Sequence, residues 1–380
     1  MWERVGSGLV VAVLWSAGCT PEAGGQARER LGAALDSLLA ERLVDLETPG
    51  IAVAVIDSGA VVWIGTEGWA DVDAQRPVTD STPFMIASVS KPITATVLLS
   101  LWGEGRFGLD DDAGTYLAFP LRNPNHPSVP ITFRHLLRHR SSIADNRDYY
   151  MPYWSVADGD PTTDLEGYLT DYLSPEGADY VATENFLEVG PDEQRQYCNT
   201  CYALLGHLAE RISGVPFDRL SEQRLFGPLG MSETGWFLSD FAGPEVAMPY
   251  RSAADTGYVA FGHNGYPDWP AGQLRTSIRN LATFMAAYLN AGNQPGESVI
   301  DPRIVELLSP GSAEIGFHTW FQFGLGDGQV LWEHGGGDVG VRTMVAFSRE
   351  PRRAVLVLTN GEGDLRPLVR DLYLTIEPAG

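Results

Sequence analysis

Apolar residues recur along this chain with two periods, and the changes between them mark out its elements. From Ala27 to Leu43, Leu and Ala alternate with charged residues at helical spacing, which predicts an amphipathic helix. Gly50 then introduces Ile51-Ala52-Val53-Ala54-Val55-Ile56, an unbroken apolar run that reads as a buried strand. Asp57-Ser58-Gly59 is turn chemistry, and Val61 to Gly65 reads as the returning strand of a hairpin. The stretch 68–79 is polar and reads as irregular. Phe84 to Trp102, FMIASVSKPITATVLLSLW, is the segment around which the rest is organised. Pro92 stands where the first helical turn should be, where its missing N–H costs little, and Leu98, Leu99, Leu101 and Trp102 continue a buried helix.

The middle of the chain is helical in pattern. Ile131 to His139 reads as a short helix capped by Thr132. Ile143 to Gly190 is long, irregular and aromatic, with Tyr149, Tyr150, Tyr153, Trp154, Tyr168, Tyr172, Tyr180 and Phe186; it reads as a lid or as a helical subdomain with an aromatic core that walls a cleft. Tyr202–Ile212, Pro216–Leu225, Ser277–Leu289 and Pro302–Leu308 follow as helices. The last third turns to strands at Gln329–Glu333, Val341–Phe347 and Ala354–Thr359, the last two around an Arg349-Glu350-Pro351-Arg352 turn, and ends in a helix over Leu365–Ile376. Strands at both ends with helices between them predict an α+β fold. One antiparallel sheet is built from both chain ends, with flanking helices and a mostly helical insertion at about 103–290.

Length and composition narrow the class. At 380 residues the chain suits one large domain or two subdomains sharing a core, and 44% hydrophobic content describes an ordinary globular protein. With 26 basic against 49 acidic residues the net charge is −23. That argues against a nucleic-acid partner, since phosphate backbones are bound by Lys and Arg clusters.

The N-terminus reads as an export signal over 1–19. Arg4 supplies a positive charge, and Gly8 to Trp15 is apolar but too short to span a membrane as a helix. It ends in Ser16-Ala17-Gly18-Cys19, small residues before a cysteine that resemble a bacterial lipobox, in which Cys19 would be lipidated and anchor the protein to a membrane. Ser16 stands where leucine is usual, so cleavage by an ordinary signal peptidase competes with lipidation. A linker follows over 20–26, and the domain proper is expected over 27–380, in the periplasm or on its membrane face.

Two further cysteines, Cys198 and Cys201, form a C-x-x-C. Export permits a disulfide between them; a redox pair, half a zinc site and two reduced thiols are the alternatives. No second C-x-x-C or matching histidine pair supports zinc. His135 and His139 stand four apart, but Leu136 occupies the glutamate position of H-E-x-x-H, and structural histidines are the better reading. Asp110, Asp111 and Asp112 lack the spacing of a calcium loop and read as turn and capping residues. No metal or cofactor is expected.

The candidate chemistry begins with Ser88-Val89-Ser90-Lys91. Residues three apart share a helix face, so the Lys91 amine can reach back to the Ser88 hydroxyl. A serine is a weak nucleophile until a neighbouring base takes its proton, and a desolvated lysine loses its own proton more readily. Farther on stand Tyr197-Cys198-Asn199 and His334-Gly335-Gly336-Gly337, the latter allowing a backbone to approach something closely.

These three motifs, S-x-x-K, Y-x-N and H-x-G in that order, resemble the serine β-lactamase-related family, on the class C β-lactamase, DD-peptidase and esterase side. ITFRHLLRH followed by Ser141-Ser142, then YALLGHLAERISG, LFGPLGM and AGQL, also resemble it, and the similarity runs from about Ile51 to Thr359. The resemblance implies a β-lactamase/transpeptidase-like fold and a serine hydrolase acting on an ester, a peptide or a β-lactam. Ser88 would form the acyl-enzyme, and Lys91 and Tyr197 would share the proton traffic, the phenolate of Tyr197 being favoured beside a cationic lysine. Asn199, His334 and Gly336 would bind substrate, His334 facing the cleft toward a substrate carboxylate or an adjacent hydroxyl. The backbone N–H groups of Ser88 and Gly337 would form the oxyanion hole.

Three departures from the family pattern bear on the expectation. Ser142 stands where glycine is usual, Cys198 fills the variable place in Y-x-N, and histidine replaces the lysine that β-lactamases of this branch use in the third motif. The last makes an esterase or D-Ala-type peptidase a better expectation than an efficient β-lactamase. Glu184-Asn185-Phe186-Leu187 mimics the deacylating motif of class A enzymes, but it precedes Tyr197 and is treated as a decoy. The alternative is a non-catalytic penicillin-binding or cell-wall-sensing protein on the same fold. An unrelated α/β-hydrolase is disfavoured because no G-x-S-x-G occurs.

Overall fold

The computed structural model describes residues 21–43, 46–155, 159–243, 245–253, 257–291, 298–309, 319–326 and 328–376. The expected export signal and Cys19 lie outside them. Helix α1 (Pro21–Leu43) begins at a proline and runs through the stretch expected as a linker. Among the described residues no helix is long and apolar enough to cross a membrane.

A seven-stranded antiparallel sheet joins the two ends of the chain. Its strands are β1 (Gly50–Asp57), β2 (Ala60–Asp71), β3 (Arg76–Pro77), β4 (Phe321–Gly324), β5 (Val330–Asp338), β6 (Val341–Ser348) and β7 (Arg353–Thr359). The spatial order is β3-β2-β1-β7-β6-β5-β4. The centre is the pairing of β1 with β7, in register from Ile51↔Thr359 to Ile56↔Ala354. Successive side chains of a strand face opposite sides, so a strand buried on both faces must be apolar throughout. That accounts for the unbroken run in β1. Ala52, Ala54 and Ile56 enter one core, and Ile51, Val53 and Val55 the other.

The second core is closed by Leu35 and Leu39 of α1 and by Leu368, Val369 and Leu372 of the terminal helix (Arg366–Thr375). The first is closed by α2 (Ser90–Gly103), buried at every position from Ser90 to Leu99. Helix α2 packs on α3 (Asn199–Ser213), which carries the rest of the helical region. That region has the expected aromatic core: Tyr149, Tyr150, Tyr168 and Tyr172 meet as ring pairs 5.2–6.4 Å apart.

The structure differs from the sequence reading in four places. Strand β2 runs to Asp71 and β3 follows, where an irregular stretch was expected. Phe84 and Met85 belong to a short strand, Pro83–Met85, so the organising helix begins only at Ser90. Short strands that the sequence reading did not name lie in and beside the insertion, which was expected to be mostly helical. Pro83–Met85 pairs with Arg275–Ser277, which pairs with Thr234–Gly235, and Tyr250–Ala253 pairs with Gly257–Ala260. Finally, β5 continues through His334-Gly335-Gly336-Gly337. The first and third additions are strands of two to four residues, or extensions paired with distant segments, and such pieces are too short to show a period in the sequence.

Candidate active site

The turn that presents Ser88 is a single 3₁₀ turn, Ala87–Val89, set at the mouth of α2. Ala87 has φ 46°, a left-handed conformation that costs a non-glycine residue about 1–2 kcal/mol. Ser90 holds it, its Oγ donating to Ala87 O at 2.7 Å. One helical step on, Lys91 points back as the spacing predicted. Its Nζ donates to Ser88 Oγ at 3.2 Å, to Asn199 Oδ1 at 2.7 Å and to Ala271 O at 2.7 Å. The AGQL stretch therefore supplies a carbonyl that fixes the lysine. Its Gln273 is buried and locks the same loop by accepting from Tyr266 N at 2.8 Å and donating to Trp236 O at 3.0 Å.

Tyr197 and Asn199 bracket Cys198, the N-cap of α3. Tyr197 hydrogen-bonds Ser88 through its side chain, and Lys91 Nζ sits 4.9 Å from the centre of its ring. Alcohol, amine and phenol, the phenol 109 and 106 positions from the other two in the chain, thus meet in contact. Cys198 and Cys201 form a disulfide across the first turn of α3, closing the motif on itself. His139 stacks on Tyr197 with ring centres 4.6 Å apart, and its Nδ1 accepts from Cys198 N at 3.2 Å. His135 instead takes part in the cap of its own short helix, Phe133–Leu137, with Thr132. The H-x-x-x-H spacing therefore serves two unrelated structural tasks. Ser142, in the family's glycine place, has φ 65°, the conformation glycine adopts freely; Asn123 steadies it by donating to Ser142 Oγ at 2.9 Å.

Two carboxyl groups complete the surroundings, and neither was found from sequence. Asp145 accepts from the backbone N–H of Asn199 at 2.7 Å and of Thr200 at 3.0 Å, seating α3 through its unpaired first N–H groups. Asp268 lines the cleft. No local pattern could have revealed Asp145, because its partners lie more than fifty residues away.

Burial dominates the electrostatics. It pulls the Lys91 ammonium down to about 8, against the opposing pull of Asp268 and Asp145. It also pushes the Tyr197 phenol well above its ordinary value, assisted by Asp145 and opposed by Ser88 and Arg195. The expected phenolate is therefore not favoured: the ring loses more by desolvation than neighbouring charges return. Of the two, Lys91 is the group that changes charge near neutral pH.

The third motif departs most from expectation. His334 is 2% exposed and lies behind Phe321 and Trp320, whose rings meet it edge-on at 5.4 and 6.4 Å. Its Nδ1 pairs with Gly335 O at 2.9 Å, and burial with the nearby Lys91 charge lowers it to about 3, so it is neutral. It neither faces the cleft nor offers a cation to a carboxylate. Gly336 points the same way and does not reach the cleft either. A Cβ there would stand 2.1 Å from Thr343 Oγ1 and 2.3 Å from Ile86 O. Its task is to let β5 pack on the Ser88 turn. Gly337, on the opposite face of the strand, lines the cleft with Ser88.

That cleft, about 550 Å³, is lined by Ser88, Asn199, Tyr266, Asp268, Gly337, Asp338, Arg342 and Glu362 among others. Strand β4 pairs with β5 only as far as Glu333, so beyond it β5 has a described strand neighbour on the β6 side alone. Glu184 is exposed and does not line the cleft, in keeping with its reading as a decoy.

Comparison with known proteins agrees with this geometry. The sequence model of the Beta-lactamase family matches residues 35–379. Penicillin-binding protein 4* of Bacillus subtilis is 24% identical over 330 residues, 82% of this chain and 68% of that protein. Protein flp of Staphylococcus aureus is 23% identical over 67% of this chain, which spans about half of that relative's length (48%). The D-amino acid amidase of Ochrobactrum anthropi SV3, solved with D-phenylalanine, superposes with a TM-score of 0.72 at 21% identity, covering 91% of this chain and 99% of that one. With the match across nearly its whole length and the β-lactamase/transpeptidase architecture that these neighbours share, the chain belongs to the β-lactamase family of serine hydrolases.

Proposed function

We propose that this protein hydrolyses an ester or amide through an acyl-enzyme on Ser88. The observation that carries the reading is the hydrogen-bonded set of Ser88, Lys91, Tyr197 and Asn199, of which Ser88 and Asn199 line the cleft and Lys91 and Tyr197 lie buried behind them. Neutral Lys91 takes the proton of Ser88 as its Oγ bonds to the carbonyl carbon. The oxyanion that forms is held by the N–H groups of Ser88 and Gly337, each worth about 3–4 kcal/mol in comparable enzymes. The bond to the leaving group then breaks, and the departing alcohol or amine takes a proton through the Lys91–Tyr197 pair. Water attacks the acyl carbon by the same route in reverse and frees Ser88. Asn199, whose carbonyl oxygen is held by Lys91, has its amide N–H₂ for a substrate carbonyl. Beyond Glu333 the described residues give β5 no strand partner on the side away from β6, which suits an extended chain laid along it.

Esters and amides are favoured over β-lactams. The lysine that would hold a lactam carboxylate is absent, and His334 in its place is buried and neutral. Of the described charged residues lining the cleft, Asp268, Asp338 and Glu362 are acidic; Arg342 is the one cation among them, and its Nη1 is engaged by Asp338 O and Val341 O. On purified protein we expect p-nitrophenyl esters to turn over faster than a chromogenic cephalosporin, with an acyl adduct on the Ser88 peptide in quenched mass spectra. Cephalosporin turnover exceeding that of the esters, or an adduct elsewhere, would refute this. Stable labelling without release would instead support the penicillin-binding or sensing alternative.

The protein is also proposed to be exported. The apolar stretch before Cys19 and the Cys198–Cys201 disulfide support this. The intact mass of the mature protein tests it: an N-terminus at Cys19 carrying lipid marks an anchor, cleavage without lipid a released periplasmic form, and an uncleaved chain refutes export.

A further inference from the structure

The hydrolytic steps use none of the three carboxyl groups that line the cleft, and one of them, Asp268, is also without a described side-chain partner. Asp268 lines it beside Ser88 yet is only 7% exposed. Among the described residues, the hydrogen bond made to its carboxylate comes from its own backbone N–H, and no side chain pairs with it. Lys91 cannot: an ammonium has three donors, and these go to Ser88, Asn199 and Ala271. The other acids of the cleft are committed. Asp338 receives Tyr266 Oη and Val339 N, and Glu362 receives Gly340 N. Burial pushes the Asp268 carboxyl up to about 7, the signature of an acid without a counter-charge in contact. A buried carboxylate in that condition is costly to the folded protein unless a cation arrives with the ligand.

We propose that Asp268 receives a free ammonium on the acyl half of the substrate, so that the enzyme prefers amino-acid esters and amides with an unblocked amine. This rests on the hydrolase reading above. The acyl half is the part that stays at Ser88 through both halves of the reaction, so a group that recognises it acts on acylation and deacylation alike. Asp338 and Glu362 add a field of the same sign across the cleft, which favours a cation over a carboxylate-bearing ligand.

The test compares kcat/KM of the wild-type protein on D- and L-alanine p-nitroanilide with that on their N-acetyl counterparts, and repeats it with Asp268→Asn. One unblocked stereoisomer should exceed its acetylated form by at least about tenfold, the size of a charge-assisted hydrogen bond. In Asp268→Asn that ratio should fall toward one. A wild-type preference for the acetylated anilides overturns the proposal and needs no variant to observe. So does an equal loss on both substrates in Asp268→Asn, which would mark Asp268 as a residue that only tunes Lys91. Turnover of p-nitrophenyl acetate with all four anilides inert overturns it while leaving the hydrolase reading intact. If neither anilides nor the acetate acylate Ser88, both readings fall together.

Discussion

Lys91→Met is expected to lower kcat/KM for any ester substrate by about 10²–10⁴-fold, the usual contribution of a positioned base. Methionine keeps the length and apolar character of the stem, which matters because residue 91 is 1% exposed inside α2. What it removes is the proton acceptor 3.2 Å from Ser88 Oγ. The pH profile identifies the cause. Burial lowers Lys91 to about 8, so the neutral, basic form grows as pH rises toward that value. Wild-type kcat/KM should therefore climb between about pH 6 and 8 and then level. The groups that face Lys91 set where the climb falls. Asp268 and Asp145 raise its value, while His334 carries no charge in this range. Tyr197 stays protonated, because burial holds it well above its ordinary value. On p-nitrophenyl acetate, which has no amine for Asp268 to receive, the climb should disappear in Lys91→Met along with the rate. A profile that keeps its rise in the variant would assign the base to another group. A change confined to KM would show that Lys91 only binds.

Gly336→Ala is expected to cost nearly as much without removing any reactive atom. Its Cβ would need space now filled by Thr343 Oγ1 at 2.1 Å and Ile86 O at 2.3 Å. Those two atoms are themselves bonded at 2.7 Å, and that bond ties β6 to the residue just before the Ser88 turn. Relief requires β5 to move off the turn, which displaces the Gly337 N–H from the place where an oxyanion would form. Overpacking of this kind costs roughly 1–3 kcal/mol of stability. Misplacement of a catalytic group by about 1 Å costs on the order of 10²-fold in rate. Gly335→Ala is the control, since its Cβ meets nothing nearer than Glu333 Oε2 at 3.8 Å. Both variants should be measured by thermal unfolding and by ester turnover. Equal behaviour of the two would remove the close approach at Gly336 from the account.

The sequence alone determined the parts of this protein that are local. The apolar run of β1, the turn at Asp57-Ser58-Gly59 and the reach of Lys91 back to Ser88 all depend on residues a few positions apart, where periodicity and helix geometry apply. The three motifs in order also sufficed to expect the family, since their chemistry depends on residue type. What the sequence left open depends on which distant segments meet. It could not tell that β1 pairs with β7, that His139 lies under Tyr197, or that Asp145 and Asp268 stand near Lys91. Nor could it give charge states: the Tyr197 phenol and the His334 imidazole are both set by burial, which a linear chain does not possess. Third-motif residues expected to meet substrate turned inward for a related reason. Strand alternation sends His334 and Gly336 to the face that packs on the Ser88 turn, and only the tertiary packing decides that the space at Gly336 is filled by that turn and that His334 is covered by Phe321 and Trp320.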